Sequence, residues 1–388
     1  MNFAANPQTN RAQLLFSGDA YFQILRRNIR EAKREVLLEC YIFDFDPVGR
    51  GILHELADAV KRGVRVRLLI DGIGSFNWLR QIQMECERQQ ILLQIFHPVP
   101  FQGTLTRRLS WRNLRKLLFL FRQTNKRNHR KTLITDQSRV VLGSFNISQV
   151  HSERFSGEYA WRDSGLAFEF VEYSGDLMVL RKAFLRSWSR ARWSHAVLTR
   201  RDKNSSNRPQ KSLFRLNDGF RKRLGLSSSL KKRIHNAQVR ILITTPYFLP
   251  RRSHYRAILA AAKRGVYVAL LLPAKNDVGV VKLASQILYR KMIDSGVQIY
   301  EYQPRVLHSK TLVIDDWAIL GSSNFNHRSF VHDLEIEAVV SNPSMVGTLL
   351  QQWDQDIENS CLITWKDFSL SWWRQWIGRF LFAFRFWL

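Results

Sequence analysis

LHSKTLVIDDWAILGSSN (residues 307–324) reads as an apolar strand, a polar turn and a returning strand. His308 and Lys310 stand two positions apart at its start, Asp315 closes the first apolar run, and Gly321, Ser322 and Asn324 follow. NHRKTLITDQSRVVLGSFN (residues 128–146) repeats the pattern with His129, Lys131, Asp136, Gly143, Ser144 and Asn146. Side chains alternate along a strand, so each His and its Lys share one face. One residue fewer lies between Asp315 and Gly321 than between Asp136 and Gly143, which predicts a tighter second hairpin.

The repetition extends outward. EVLLECYIF (35–43), GILHELADAVKRG (51–63) and VRVRLLIDG (64–72) recur as VRILITTPYFLP (239–250), SHYRAILAAAKRG (253–265) and VYVALLLPA (266–274). The shared A-x-K-R-G is a helix end with a glycine stop before a strand. Strand–helix–strand order in both halves predicts an α/β fold, with a parallel or mixed sheet covered by helices. The expected organisation is a first domain over 1–190 and a basic linker over 191–228. A second domain over 229–360 and an aromatic, basic tail over 361–388 complete it. The first domain carries an insertion, LTRRLSWRNLRKLLFLFRQTNKRN (105–128), with no counterpart in the second.

A chain of 388 residues with 45% apolar composition buries a substantial core. Its net charge of +28 points to a polyanionic partner, either nucleic acid or an anionic membrane surface. Cys40, Cys86 and Cys361 are scattered without C-x-x-C spacing, which disfavours structural zinc and a disulfide framework. No secretory signal and no run of about 18 uncharged apolar residues is expected, so membrane contact should be peripheral.

Each hairpin offers an imidazole, an ammonium, a hydroxyl and an amide to one spot. Two copies meeting across a pseudo-twofold form a pocket for a phosphoryl group. Lys131 and Lys310 would offset phosphate charge, while Ser144, Asn146, Ser322 and Asn324 donate to its non-bridging oxygens. One neutral histidine can attack phosphorus and the other, protonated, can donate to the leaving oxygen. Neither motif brings a Cys or carboxylate cluster, so no metal or other cofactor is expected. One H-x-K-x4-D arises by chance; two, each followed by G-S-x-N in equivalent places of a repeat, do not.

These residues resemble the phospholipase D superfamily, whose paired motifs form one metal-free active site. The resemblance implies two similar α-β-α sandwich domains related by an internal pseudo-twofold, sharing that site. It implies the catalytic set His129, Lys131, Asp136, His308, Lys310 and Asp315, with Ser144, Asn146, Ser322 and Asn324 at phosphate-contacting positions. Asp163 in WRDSGLAFE and Glu335 in HDLEIEAVV look like the acids that hold the histidine tautomers. A covalent phosphohistidine is implied, with His129 as nucleophile and His308 as acid and base.

ECYIFDFDPVG, AAAKRGVYVALLLP and DDWAILGSSNFNHRS resemble bacterial cardiolipin synthases that lack N-terminal transmembrane helices. That resemblance covers most of 14–360 and implies transfer of a phosphatidyl group to the glycerol hydroxyl of phosphatidylglycerol. The expected partners are anionic phospholipids, met by a monomer at the cytoplasmic face of a bacterial membrane. SLSWWRQWIGRFLFAFRFWL (369–388) is too short and too charged to span a bilayer, and its Trp and Arg suit the headgroup region. Its competing reading is a last core element packed on the second domain. Hydrolysis by a phospholipase D uses identical residues with water as acceptor. A nuclease of the same superfamily suits the charge, but the aromatics cluster at the C-terminus instead of lining a basic groove, so no nucleic acid is expected. His327, His332 and His151, near the motifs, are read as supporting or surface residues.

Overall fold

Apolar runs of period two close into two sheets with the same plan. The computed structural model describes residues 9–97, 126–171, 174–193, 212–276, 278–366 and 372–383. In the first half the strands are β1 (Thr9–Leu15), β2 (Glu35–Cys40), β3 (Arg65–Asp71), β4 (Leu92–Phe96), β5 (Thr132–Thr135), β6 (Arg139–Gly143) and β7 (Gly165–Phe170). Their order in the sheet is β1-β7-β6-β5-β2-β3-β4. In the second half β8 (Phe214–Leu216), β9 (Arg240–Thr244), β10 (Tyr267–Pro273), β11 (Gln298–Tyr302), β12 (Thr311–Ile314), β13 (Trp317–Gly321), β14 (Ile336–Val340) and β15 (Ser360–Leu362) follow. They are ordered β15-β11-β10-β9-β12-β13-β14-β8. With the added edge strand β15 set aside, order and strand sense coincide. β2, β3 and β4 are parallel, as are β9, β10 and β11, and the hairpin strands run antiparallel beside them.

Helices α1 (Gly18–Glu31), α2 (Pro47–Lys61), α3 (Leu79–Arg88), α4 (Glu153–Ser156) and α5 (Gly175–Trp193) belong to the first half. The second half holds α6 (Phe220–Asn236), α7 (Arg252–Lys263), α8 (Gly279–Gln286), α9 (Tyr289–Ile293), α10 (His327–Val331), α11 (Pro343–Glu358) and α12 (Trp372–Ala383). Alternation sorts each strand between two layers. Val36 and Leu38 of β2 join α1 and α2 in an outer core, while Leu37 faces a central core. In the second half Leu312 and Ile314 of β12 face the outer core and Val313 the central one. The central core is shared: α5, α11 and strands of both sheets contribute to one continuous cluster. Two α-β-α sandwiches joined through a common layer therefore make up the fold. The glycines ending the A-x-K-R-G segments, Gly63 and Gly265, adopt φ of 80° and 90°, the left-handed turn that the helix stop requires.

Residues 212–228, within the expected linker, carry β8 and the first half of α6. These are the counterparts of β1 and α1, so the second repeat begins well before residue 229. β8 is three residues long, buries Phe214 and Leu216, and pairs Arg215 with Glu337 at 2.8 Å. A single period of alternation inside a basic stretch gives too little signal to see in sequence. The insertion at 105–128 lies outside the described residues except for its last three. In the tail, α12 packs on α8, with Gly378 pressed against Leu283 and Ile287. Leu381 and Phe382 pack against Leu249, Val281 and Ala284. Trp373, Trp376, Ile377 and Phe380 remain exposed. Among the described residues no helix is long and apolar enough to cross a membrane.

Candidate functional site

β5 and β12 run antiparallel to β2 and β9, so the residues just before them lie at the carboxyl ends of the parallel strands. There the two halves are stitched together. His129 donates its backbone N–H to Leu334 O at 3.0 Å, and His308 donates to Arg162 O at 2.8 Å. Leu334 and Arg162 each precede the acid that the other half's histidine uses. His129 Nδ1 lies 3.1 Å from both Glu335 oxygens, and His308 Nδ1 lies 3.0 and 3.2 Å from those of Asp163. Each half thus orients the other's imidazole.

Lys131 Nζ donates to His129 O at 2.8 Å and sits 5.2 Å from the centre of the Tyr41 ring. Lys310 Nζ donates to His308 O at 2.6 Å and lies 3.1 Å from His308 Nε2. Burial lowers Lys131 to about 8. Burial, reinforced by Lys131, Lys310 and Arg328, takes His129 well below the ordinary histidine range. His308 is lowered by burial to about 4, with Asp163 opposing and Lys310 assisting. Near neutral pH both imidazoles are therefore neutral, with Nδ1–H held by a carboxylate and the Nε2 lone pair turned to the site. Lys310 of one half acts on His129 of the other, and Asp163 acts on Lys131, so the two motifs share one electrostatic site.

The acids differ. Burial raises Glu335 to about 7, against the pull of Lys131 and of the Ser322 and Ser329 hydroxyls. Burial would also raise Asp163, but His308 and His151 override it and hold that carboxyl well below the usual range.

Asp136 and Asp315, expected in the catalytic set, are not brought to the site. They stand at the far ends of β5 and β12, where each carboxylate accepts three backbone N–H bonds. The donors are Lys33, Arg34 and Glu35 for Asp136, and Gln238, Val239 and Arg240 for Asp315. Four strand residues intervene between Lys and Asp in each motif, which explains the separation. The serines are also differently employed. Ser144 Oγ donates to Ser164 O and accepts from Ser164 N, each at 3.0 Å. Ser322 Oγ donates to Glu335 Oε2 at 2.5 Å and accepts from Ile336 N at 3.0 Å. Both clamp the strand that carries the acid, instead of facing a phosphate. Asn146 Oδ1 accepts from Ile42 N at 3.3 Å; Asn324 Oδ1 is buried without a hydrogen-bond partner among the described residues.

The second hairpin is tighter, as expected, but the difference is absorbed in the turn. Three residues, 136–138, turn the first hairpin, with φ of 50° and 56° at Asp136 and Gln137. Two residues, 315–316, turn the second, with φ of 53° at Asp315. Thr132 pairs with Leu142 and Thr311 with Leu320, so both glycines face the motif lysine. A Cβ on Gly143 or Gly321 would collide with the carbonyl of Ser164 or Ile336, the close approach that lets each serine clamp.

Two neighbours, Tyr41 and Trp161, escaped the sequence reading, and a third, His151, was expected as a supporting or surface residue. The Tyr41 ring lies 4.8 Å from that of His129, and the Trp161 ring 5.3 Å from that of His308. His151 Nδ1 approaches Asp163 Oδ2 at 2.7 Å. Asp163, His151 and His308 have ligand atoms within 4.8 Å of one another, the spacing of a metal site among the described residues. The donor set does not fit a metal. Lys310 Nζ at His308 Nε2 and Asn146 N–H at His151 Nε2 leave protons on both Nδ1 atoms, so neither offers a lone pair there.

The profile of the family described as "Cardiolipin synthase, PLD-like domain" matches residues 25–161 and 230–360. The Bacillus subtilis protein described as "Probable cardiolipin synthase YwiE" is 27% identical over 353 residues; these are 90% of this chain and 66% of that protein. Cardiolipin synthase B of Salmonella typhi is 27% identical over 358 residues, covering 91% of this chain and 81% of its own length. The crystal structure of phosphatidylserine synthase from Haemophilus influenzae superposes with a TM-score of 0.65 at 16% identity, over 98% of this chain and 94% of that one. Polyphosphate kinase from Porphyromonas gingivalis gives 0.59 at 12% identity, over 97% of this chain and 56% of that one. The likeness to both structures is one of fold.

Proposed function

The chain belongs to the family of cardiolipin synthases with a phospholipase D-like domain, and from that premise we propose that it makes cardiolipin by phosphatidyl transfer. In the first step His129 Nε2 attacks the phosphorus of a donor phospholipid. A P–N bond forms, the P–O bond to the donor's headgroup alcohol breaks, and His308 supplies the proton that the departing oxygen takes. In the second step His308 takes a proton from the glycerol hydroxyl of phosphatidylglycerol. That oxygen attacks phosphorus, the P–N bond breaks, and His129 is regenerated. Lys131 and Lys310 offset the phosphate charge, and the amides of Asn146 and Asn324 are the candidate donors to its oxygens.

The observation that carries this reading is the crossed pairing of His129 with Glu335 and His308 with Asp163. It supports one site with a nucleophile and an acid–base partner, each with a fixed tautomer. Bound phosphodiester is an anion, which favours the imidazolium that His308 needs in order to donate.

The membrane surface is the proposed workplace. A net charge of +28 favours an anionic leaflet, and Trp376 and Phe380 of α12 are 68% and 64% exposed at the end of a chain whose substrates are lipids. The protein is proposed to bind there peripherally, as a monomer, on the cytoplasmic face.

The test is incubation of purified protein with phosphatidylglycerol vesicles in EDTA, beside His129→Ala, with lipid products resolved by mass spectrometry. Cardiolipin formed only by the intact protein is the expected result. Phosphatidic acid alone would make the protein a hydrolase, and neither product would overturn the lipid assignment.

A further inference from the structure

Beyond each crossed pair lies a third residue, and the two halves fill that place differently. In the second half Ser329 Oγ donates to Glu335 Oε1 at 2.6 Å and accepts the backbone N–H of Asn324 at 3.2 Å. In the first half His151 Nδ1 meets Asp163 Oδ2 at 2.7 Å, while Nε2 accepts the backbone N–H of Asn146 at 3.3 Å. Both lie five residues beyond the motif asparagine, on the short helical turn that follows it. Each accepts the backbone N–H of its motif asparagine and sets a second atom against the acid: Ser329 Oγ hydrogen-bonds it, and His151 Nδ1 lies against it without an aligned hydrogen bond.

We propose that His151 is a positioning residue for the acid–base histidine, fixing Asp163 so that His308 keeps its proton on Nδ1 and its lone pair on Nε2. The inference rests on the assignment of His308 to proton transfer. The His151 side chain is fully buried and walled by Phe145 and Trp161, with ring centres at 5.9 and 5.4 Å. It has no path to bulk water that would explain an ordinary surface histidine. Acceptance at Nε2 fixes the neutral tautomer, so the Nδ1 proton points toward Asp163. The 2.7 Å approach is short but lies off the ring N–H axis. Such contacts align when charge develops on the neighbouring group, here on His308 as it takes up a proton. Asp163 then stands between two N–H donors, whereas Glu335 stands between one imidazole and two hydroxyls. The difference gives the two catalytic histidines unequal surroundings within one symmetric fold.

The experiment compares His151→Ala, His151→Asn and wild type. Asparagine can still donate from Nδ2 and accept at Oδ1, so it is the conservative replacement. Loss of an outer partner of this kind typically costs about 10–100-fold in activity. His151→Ala should therefore lose kcat to that extent with KM for phosphatidylglycerol little changed, and His151→Asn should recover most of it. Imidazole 15N NMR at neutral pH should find His308 protonated on Nδ1 in wild type and divided between both nitrogens in His151→Ala. Unchanged kcat in His151→Ala would overturn the proposal, as would equal loss in both variants with an unaltered His308 tautomer. If His151→Ala does not fold, the tautomer and kcat of His151→Asn decide: a wild-type pattern supports the role, and a divided tautomer with unimpaired kcat refutes it. The tautomer readout needs no substrate. Failure of wild type to make any lipid product would strike the functional assignment and leave this one to the spectrum.

Discussion

Glu335 of the second half presents both carboxylate oxygens, 3.1 Å each, to Nδ1 of His129 in the first. A residue that never touches the reacting phosphorus therefore decides which nitrogen of the proposed nucleophile carries the lone pair. Glu335→Gln keeps the shape but can present an amide N–H where the imidazole needs an acceptor. Its kcat should fall by roughly 10²–10⁴, the span associated with a mispositioned acid–base group. Rapid-quench kinetics should show that formation of the phosphoenzyme, and not only its discharge, is slowed.

The two histidines should separate in a trapping experiment. With donor phosphatidylglycerol carrying labelled phosphate, acid-labile label should map to the peptide containing His129. His308→Ala should slow both steps, whereas His129→Ala should yield no labelled protein. Label on the His308 peptide would reverse the assigned order.

Asp136 and Asp315 answer to stability instead of chemistry. Removing a carboxylate that accepts three backbone N–H bonds should cost about 1–3 kcal/mol. Asp315→Ala and Asp136→Ala should lower Tm while kcat per folded molecule stays within about twofold; calorimetry beside active-site titration would separate the two. At Asp315 partial burial opposes ionisation, but the N–H bonds of Arg240, Val239 and Gln238 leave its folded pKa below the ordinary value. A depressed carboxylate contributes stability above its unfolded pKa and loses it as pH falls through the folded one, so this contribution should start to fade below about pH 4 and be gone only once pH is under the folded pKa.

Glu335 imposes the opposite sign. Burial raises it to about 7, above the ordinary glutamate range. Its protonated form stabilises the fold, fully so below the unfolded value, and that stability is lost as pH rises through about 7. The cost at alkaline pH is on the order of 3 kcal/mol. Catalysis wants the ionised form to hold the His129 Nδ1 proton. The pH profile of kcat/KM should therefore show an acidic limb near pH 7 that disappears in Glu335→Gln, while thermal stability declines over the same interval in wild type only.

For the tail, Trp376→Glu with Phe380→Glu should weaken sedimentation with anionic vesicles by about tenfold and leave Tm within about 2 °C, since both side chains are exposed. Activity on short-chain lipid below its micellar concentration should stay unchanged. Binding of wild type should also weaken as salt is raised.

The repeat, the His and Lys pairs, and the two supporting acids were legible because each recurs in register within its own half. The crossing of the acids was not, since nothing local to WRDSG or HDLEIE says which histidine it will meet. The placement of Asp136, Asp315, Ser144 and Ser322 was hidden for a related reason. A motif read as one unit hides the fact that the four strand residues between its lysine and its last acid alone span about 13 Å. β8 was lost in basic linker text because three residues give no period to count. His151 and Ser329 share a spacing from Asn146 and Asn324 but not a residue type, so no similarity of letters could align them. What they share is a donor and an acceptor.

The stitching of His129 to Leu334 and Glu335 also sets a clock. Glu335 is made more than 200 residues after the histidine it serves, and a nascent chain folds its N-terminal half first. Until Glu335 is in place, Nδ1 of His129 lacks the carboxylate that holds its proton. A chain that ends before Glu335 therefore lacks the group that orients the proposed nucleophile, and formation of the phosphoenzyme should fail in it.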